Sequence, residues 1–151
     1  MKHHFENHDL VTDQTSQLLD LTEDVRSAVE RAGVTNGMAL VYSPHTTCAI
    51  VINEHETGFI ADFAELLAEL APAEDRYYRH DDLGIRTQGI EPDTAEFPNG
   101  HSHIRSGLLS SSSETVPIVN GRLMLGPWQR IFFCELDRSR PRKVLIQVIG
   151  E

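Results

Sequence analysis

The last third of the sequence consists of short apolar runs of strand length separated by turn signals, and this feature constrains the fold most. The runs are HIRSGLLS, TVPIV, RLMLG, RIFFCEL and KVLIQVIG, all within residues 103–150. Asn120-Gly121 stands between two of them, and Asn-Gly is the strongest short signal for a tight hairpin. These runs predict an antiparallel β meander.

Further strand signals lie upstream. GMALVYS and TTCAIVIN are rich in β-branched and apolar residues, and the segment SPH separates them. Because Pro44 fixes a bend there, the two runs predict a hairpin. From Leu10 to Leu21, apolar positions alternate loosely with polar ones, which predicts one or two edge strands.

Two segments have helical periodicity. In TEDVRSAVERAG the apolar positions recur at helical spacing, Thr22 is a candidate N-cap and Gly33 a stop signal. The segment HETGFIADFAELLAELAP carries an apolar stripe that ends before Pro72. Asn53 and Glu56 could form a capping box for this second helix, an alternative that spacing alone weighs about evenly against a functional role.

Composition bounds the class of protein. The 151 residues are 40% hydrophobic and 24% charged, values typical of a globular domain. The element order predicts one α+β domain over residues 1–151, with an antiparallel β core, sandwich-like, two principal helices and a flexible end at residues 1–8. Cys48 and Cys134 lie in apolar runs of a chain without a signal peptide, so we expect buried thiols and a cytoplasmic location.

Charge and hydropathy limit the partners. The formal net charge of −10 disfavours sequence-independent binding of nucleic acid. No apolar run approaches the roughly 20 residues that cross a bilayer, so no membrane role is expected.

Four histidines, at positions 45, 80, 101 and 103, stand at the ends of elements or in a long polar loop, where binding residues commonly lie. Together with Asp81 and Asp82 they could hold a metal ion, although each one alone is more often solvated. In a strand, His101 and His103 would point to one side, whereas His45 and Glu54 would lie on opposite faces. Trp128 is expected in the core.

Four segments in order resemble one family of small proteins. SPHTTCAIVINE, the His80-Asp81 region, NGHSHIRSGLL and NGRLMLGPWQRIFFCELDRSRPRKVLIQVIG are similar to the YjbQ family, also described as secondary thiamine-phosphate synthase enzymes. The similarity spans about residues 10–151. The combination of HTT with NE, Asn-x-x-Ser-His and LGxWQ is specific, whereas each motif alone would not be.

The resemblance implies an α+β fold, a homotrimer and a pocket of polar residues. It implies substrate binding by Thr46, Thr47, Asn53, Asn99 and Gln129. It also favours His103 over His101, which is expected at a loop position near the mouth of the pocket. Alanine at 101 is therefore expected to change activity far less than alanine at 103. The expected catalytic residues are His45, Glu54, Asp81 and His103, and the expected metal ligands are His45, His80 and His103.

The activity that the resemblance implies is a weak thiamine-phosphate synthase reaction on phosphorylated small molecules, and it leaves the physiological reaction open. A divalent ion, zinc or magnesium, is a possible cofactor. Two other functions remain open: a metal-dependent hydrolase of a phosphorylated or heterocyclic metabolite, and a protein that binds a metabolite or metal without turnover.

Overall fold

Eight strands and three helices make up the computed structural model, which describes residues 1–151. The strands are β1 (Lys2–Val11), β2 (Gln17–Asp20), β3 (Gly37–Tyr42), β4 (Cys48–Glu54), β5 (Ser113–Val119), β6 (Arg122–Leu123), β7 (Gln129–Glu135) and β8 (Pro141–Gly150). The helices are α1 (Thr22–Ala32), α2 (Thr57–Leu70) and α3 (Gly100–Leu109), with a 3₁₀ turn at Arg79–Asp81.

The strands form two antiparallel sheets. The five-stranded sheet has the order β1-β8-β3-β5-β6, and the three-stranded sheet has the order β2-β7-β4. In β8 every second side chain, from Arg142 to Val148, points into the protein and is buried. This period of two is the one that a sheet with one buried face requires.

The main hydrophobic core lies between the two sheets. Val41 and Ile146 from the five-stranded sheet belong to the same buried cluster as Ile50 and Phe133 from the three-stranded sheet, and α1 adds Val25. A smaller cluster covers the opposite face of the three-stranded sheet, where its buried members are Ala49, Cys134, Leu136 and Leu67 of α2. The three-stranded sheet is therefore covered on both faces.

The predicted α+β class is confirmed, as are the two periodic helices, which the structure places at α1 and α2. Of the edge strands predicted between Leu10 and Leu21, β2 lies within that range and is an edge strand, whereas β1, also an edge strand, lies mostly before it. The Asn-Gly turn joins β5 and β6, with left-handed φ angles of 52° at Asn120 and 74° at Gly121. Both predicted thiols are buried and free.

The predicted strand pairings are wrong in two places. β3 and β4 do not form a hairpin, because β3 pairs with β5 and β8 whereas β4 pairs with β7. The last strands do not form a meander either, since β7 and β8 lie in different sheets. The backbone explains the first error: Ser43 N–H donates to Ser112 O, while Thr47 O accepts from Leu136 N–H. The segment between β3 and β4 thus crosses from one sheet to the other.

The prediction of a strand at HIRSGLLS is also wrong, because residues 100–109 form α3, a third helix. The side chain of Asp81 accepts hydrogen bonds from the backbone N–H groups of Asn99 and Gly100, each at 2.9 Å. These contacts satisfy N–H groups that a helix start leaves free. The cap comes from 18 residues upstream, so local sequence does not reveal it.

Three smaller predictions need correction. Residues 2–8 are not a flexible end but part of β1, which pairs with β8 along its whole length. The capping box is wrong because β4 continues through Glu54, and Glu56 itself is the N-cap of α2, accepting from Gly58 and Phe59 N–H. Trp128 is 72% exposed and does not belong to the core.

None of the three helices has the length and hydrophobicity needed to cross a membrane.

A surface charge network anchors the start of α1 and gives a pH-dependent prediction. Burial alone would raise the pKa of Asp20, but hydrogen bonds from Arg130, Thr22 and His55 outweigh it and lower this pKa to about 2. Because the pKa of Asp20 is lower in the folded state than its unfolded value of 3.8, the ionised carboxylate stabilises the fold above about pH 4. That contribution is lost as the pH falls toward 2.

Asp20→Asn is therefore expected to lower the free energy of unfolding at pH 7 by about 2 kcal/mol. The difference from the unaltered protein should persist down to about pH 5 and narrow between pH 4 and pH 2. Urea unfolding followed by circular dichroism at several pH values measures it. A difference that stays constant down to pH 2 would show that the Asp20 carboxylate does not contribute through its ionisation.

Candidate functional site

A polar cleft lies where the segment between β3 and β4 faces the end of α3. It has a volume of about 470 Å³ and is lined by Tyr42, Ser43, Pro44, His45, Thr46, His103, Ser106, Gly107, Ser110, Ser111 and Ser112. We call this space the His45 cleft. Three of the predicted site residues, His45, Thr46 and His103, meet in it.

His45 is held by the backbone of β8. The Lys143 N–H donates a hydrogen bond to His45 Nε2 at 3.0 Å. Burial lowers the pKa of His45, and the nearby guanidinium groups of Arg142 and Arg140 lower it further. The imidazole is therefore held in its neutral form near pH 7.

His103 lies beside His80. Their ring centroids are 4.4 Å apart. Burial lowers the pKa of His103, and the neighbouring His80 lowers it as well. His80 Nδ1 lies 3.1 Å from Asp81 Oδ1, which leaves its Nε2 free. A carboxylate in this position orients an imidazole, the arrangement found in proton-transfer sites.

Asp81 has two tasks in the fold. Besides orienting His80, it holds the start of α3 through Asn99 and Gly100. Burial would raise the pKa of Asp81, but the hydrogen bonds from His80, Asn99 and Gly100 outweigh it and lower this pKa. Asp81 therefore lies next to the His80–His103 pair as a carboxylate and supports it.

Asn99 lies at the same junction but faces Asp137. Its Nδ2 is 3.5 Å from Asp137 Oδ2, while its buried Oδ1 has no partner within the chain. His101, two residues further on, is buried and lies against Tyr78, with ring centroids 6.3 Å apart. The expectation that His101 is a loop residue at the mouth of the pocket is therefore wrong.

Close packing at the start of α3 leads to a second prediction. A Cβ on Gly100 would lie 2.6 Å from Tyr78 Cβ, whereas a Cβ on Gly107 would meet nothing within 4 Å. Gly100→Ala is expected to lower the free energy of unfolding by about 1–3 kcal/mol, because Tyr78 has to move. Gly107→Ala, the matched control in the same helix, should raise it by up to about 1 kcal/mol. Thermal unfolding of both variants measures the contrast, and equal effects would contradict the packing shown at Gly100.

Of two residues near His45, one does not have its predicted role and the other was not predicted. Thr47 is buried and its Oγ1 accepts from Arg142 Nη2 at 3.1 Å, so it supports the loop and does not line the cleft. Ser43, which the sequence did not single out, is 1% exposed, and its Oγ has no partner within the chain. An unsatisfied buried hydroxyl that lines a cleft is a candidate ligand contact.

The remaining predicted residues lie elsewhere. Glu54 pairs with Gln129 at one end of the three-stranded sheet, whereas Cys48 pairs with Glu135 at the other end. Asn53, Glu54 and Gln129, the Gln129 cluster, are exposed and about 20 Å from the His45 end, since a strand rises about 3.3 Å per residue. Gln129 Oε1 accepts from Gly126 N–H at 2.8 Å, which shapes the preceding turn. One chain does not bring this cluster to the cleft.

The predicted metal site is not complete within one chain. No group of three His, Cys, Asp or Glu side chains is arranged to hold a metal ion. His80 and His103 supply two adjacent imidazoles, while His45 Nε2 already accepts a hydrogen bond. Catalytic zinc sites usually have three protein ligands, so these residues alone do not fit such an ion.

The geometry of the His45 cleft defines its chemistry. Neutral imidazoles and hydroxyl groups can donate and accept hydrogen bonds, and a neutral imidazole near pH 7 can also accept a proton. The cleft can therefore bind a polar small molecule and stabilise charge that develops on it.

Comparison with known sequences agrees with the motifs. A family model described as UPF0047 protein YjbQ-like matches residues 6–151. A UPF0047 protein of Methanothermobacter thermautotrophicus is 37% identical over 142 residues, which cover 94% of this chain and 89% of the relative. The UPF0047 protein YugU of Bacillus subtilis is 34% identical over 92% of this chain and 94% of its own length.

Solved structures show the same fold. A YbjQ-like protein of unknown function from Sulfolobus solfataricus superposes with a TM-score of 0.85 at 30% identity and covers 99% of both chains. A hypothetical protein from Aeropyrum pernix K1 superposes with a TM-score of 0.81 at 33% identity, covering 97% of this chain and 98% of its own. Both the sequence match and the fold extend over nearly the whole chain, and the chain therefore belongs to the YjbQ family.

Proposed function

We propose that this chain is a small-molecule enzyme whose active site is the His45 cleft, and that it can form thiamine phosphate as a weak activity. The observation that carries the proposal is that His45 and His103 line one polar cleft, with His80 beside His103. The physiological substrate is a separate question, because the family resemblance implies only a secondary activity.

The reaction joins a pyrimidine diphosphate to a thiazole phosphate. The thiazole nitrogen forms a bond to the pyrimidine methylene carbon while the bond from that carbon to the diphosphate oxygen breaks. The electron pair of the broken bond leaves with pyrophosphate, and the thiazole nitrogen becomes cationic. The site must therefore hold the two reactants in line and stabilise negative charge on the leaving group.

The residues of the cleft suit these two tasks. His45 and His103 can donate hydrogen bonds to the oxygens of the departing pyrophosphate, and removing one such donor typically costs 10²–10³-fold in rate. The Asp81 carboxylate orients His80 beside His103. Hydroxyl groups from Ser43 and Thr46 are available to bind the heterocycles.

A turnover assay tests this proposal. The purified protein is incubated with pyrimidine diphosphate and thiazole phosphate, and thiamine phosphate is measured by chromatography with mass detection. Product that depends on protein concentration and disappears in the double variant His45→Ala/His103→Ala supports the proposal. The same product level with the double variant would identify a contaminating synthase and reject it.

The predicted divalent ion would find only two ligands in this chain. His80 Nε2 and an unbonded nitrogen of His103 could each contact an ion, but a third donor would have to come from a substrate phosphate or a second chain. Zinc or magnesium content after purification, measured by mass spectrometry, tests this part separately.

We also propose that the chain self-associates, as the predicted homotrimer. The outer face of the five-stranded sheet exposes large apolar side chains, among them Phe5, Met38, Tyr42 and Val119, each at least 37% exposed. Neighbouring apolar side chains exposed on one face are typical of interaction surfaces. Light scattering after size exclusion should give three times the 17.0 kDa of one chain, whereas a monomer would reject the assembly.

A further inference from the structure

We propose that His45 acts in the cleft as a neutral hydrogen-bond donor through Nδ1–H, and that the buried pair Arg142–Glu135 positions the segments that fix this tautomer. The tautomer follows from the geometry of the free protein, while its role in turnover rests on the proposed function. His45 then acts as a donor, and not as an acid or a metal ligand.

The Nε2 atom of His45 accepts a hydrogen bond. Its partner is the backbone N–H of Lys143, at 3.0 Å, and a backbone amide nitrogen can only donate. Nε2 must therefore be the unprotonated nitrogen that accepts. In a neutral imidazole the proton then resides on Nδ1, which has no hydrogen-bond partner within the chain. Since His45 lines the cleft, Nδ1–H is available to a ligand.

The side chain of Arg142 holds Lys143 and His45 together. Arg142 immediately precedes Lys143, and its guanidinium contacts Thr47, two residues after His45, through Nη2 at 3.1 Å. One buried side chain thus ties β8 to the segment that carries His45. Moving either segment would separate Lys143 N–H from His45 Nε2.

The carboxylate of Glu135 holds the Arg142 guanidinium in place. Glu135 accepts from Arg142 Nε at 2.6 Å and from Nη2 at 2.5 Å, a bidentate pair with Glu135 fully buried. Glu135 also accepts from Thr12 Oγ1 and from Asp137 N–H, each at 3.0 Å. Donors from three chain segments hold this carboxylate, and bidentate pairs of this kind restrict orientation as well as distance.

The consequence is a specific ligand chemistry at His45. A fixed Nδ1–H recognises a hydrogen-bond acceptor, such as a phosphate oxygen or a ring nitrogen, without giving up its proton. A neutral imidazole can polarise an acceptor in this way during catalysis. A metal ion could not use Nε2 unless the Lys143 hydrogen bond broke. Ser43 Oγ, buried and unpartnered in the same cleft, provides a second hydrogen-bonding group for such a ligand.

Nuclear magnetic resonance tests the tautomer directly and without substrate. In a long-range ¹H–¹⁵N spectrum of the ¹⁵N-labelled protein at pH 8, His45 should show a protonated Nδ1 and an unprotonated Nε2. Lys143→Pro removes the donating N–H and should convert the signals to a mixture of tautomers. The matched control Lys143→Ala keeps the N–H and should retain the single tautomer.

The outcomes separate the inference from the proposed function. Protonated Nε2 in the unaltered protein, or an unchanged spectrum in folded Lys143→Pro, would overturn the tautomer assignment whether or not the protein turns over substrate. If the protein makes thiamine phosphate, Lys143→Pro should lower kcat about tenfold or more, because a displaced donor no longer meets the leaving group. Loss of the single tautomer with unchanged kcat would overturn the role in turnover alone.

The positioning role of the ion pair has its own variant. Glu135→Gln keeps the shape of the side chain but removes its charge, and it should convert His45 to mixed tautomers while the circular dichroism spectrum stays native. If this variant fails to fold, Thr47→Val serves instead, because it removes only the contact between Arg142 and the His45 segment. A single unchanged tautomer in the folded variant would show that the pair does not position His45.

Discussion

Replacing Arg142 with methionine is expected to lower the free energy of unfolding by about 3–5 kcal/mol, because it leaves the Glu135 carboxylate buried without its partner. Glu135 is 0% exposed and Arg142 is 3% exposed. Burial would lower the pKa of Arg142, but the hydrogen bonds and charge of Glu135 outweigh it and raise this pKa, so the guanidinium is charged. Urea unfolding at pH 7 measures the change.

The matched control is another ion pair of the same chain. Arg26 and Glu23 lie 2.8 Å apart on the surface of α1, with 47% and 66% of their side chains exposed. Arg26→Met should therefore change the free energy of unfolding by no more than about 1 kcal/mol. The double variant Arg142→Met/Glu135→Leu should recover much of the loss, because it removes the unpaired charge. Equal effects of Arg142→Met and Arg26→Met would contradict the burial of this pair.

Replacing His103 with alanine is expected to lower kcat for the proposed thiamine phosphate formation by about 10²–10³-fold, the usual cost of removing one hydrogen-bond donor to a developing charge. His103 lines the cleft beside His80, and its imidazole nitrogens are free to meet a ligand. The measurement is single-turnover product formation at saturating substrate.

His55→Ala is the control for this effect. His55 is exposed and bonds to Asp20 at the opposite end of the three-stranded sheet from the cleft. It should leave kcat within about threefold of the unaltered protein, a difference below 1 kcal/mol in barrier height. Comparable losses in both variants would mean that the assay reports overall stability instead of a defined site.

Local patterns in the sequence predict the elements of this fold better than their partners. The apolar period of α1 and α2 and the Asn120-Gly121 turn arise from neighbouring residues, and each is found where predicted. The pairing of β3 with β5 and β8, by contrast, depends on a segment that crosses between sheets. No local signal distinguishes a hairpin from such a crossing, since both need two strands and a bend.

The third helix illustrates a different limit. The apolar residues of HIRSGLLS fit a strand and a short helix about equally, and periodicity alone cannot decide between them. The decisive contact is the cap from Asp81, which depends on how residues 82–98 return to the start of α3. Helix formation also reverses the geometric relation of His101 and His103, because residues two apart on a helix point about 200° away from each other. His101 is buried, whereas His103 lines the cleft.

The candidate site was predicted in part. Loop positions and the family resemblance together identified His45 and His103, which line one cleft, and His80, which lies beside His103. They did not identify Ser43 or the N–H of Lys143, because an unpartnered hydroxyl and a backbone donor leave no trace in residue type. The Gln129 cluster shares the family motifs, yet β4 and β7 carry it to the far end of the sheet.

A crystal structure of the protein with pyrophosphate and thiazole phosphate is the most direct test of where the chemistry takes place. We expect both molecules in the His45 cleft, with pyrophosphate oxygens within hydrogen-bond distance of His45 Nδ1 and His103. Ligands bound instead beside Gln129 and Glu54, with the cleft of the same chain empty, would contradict this expectation.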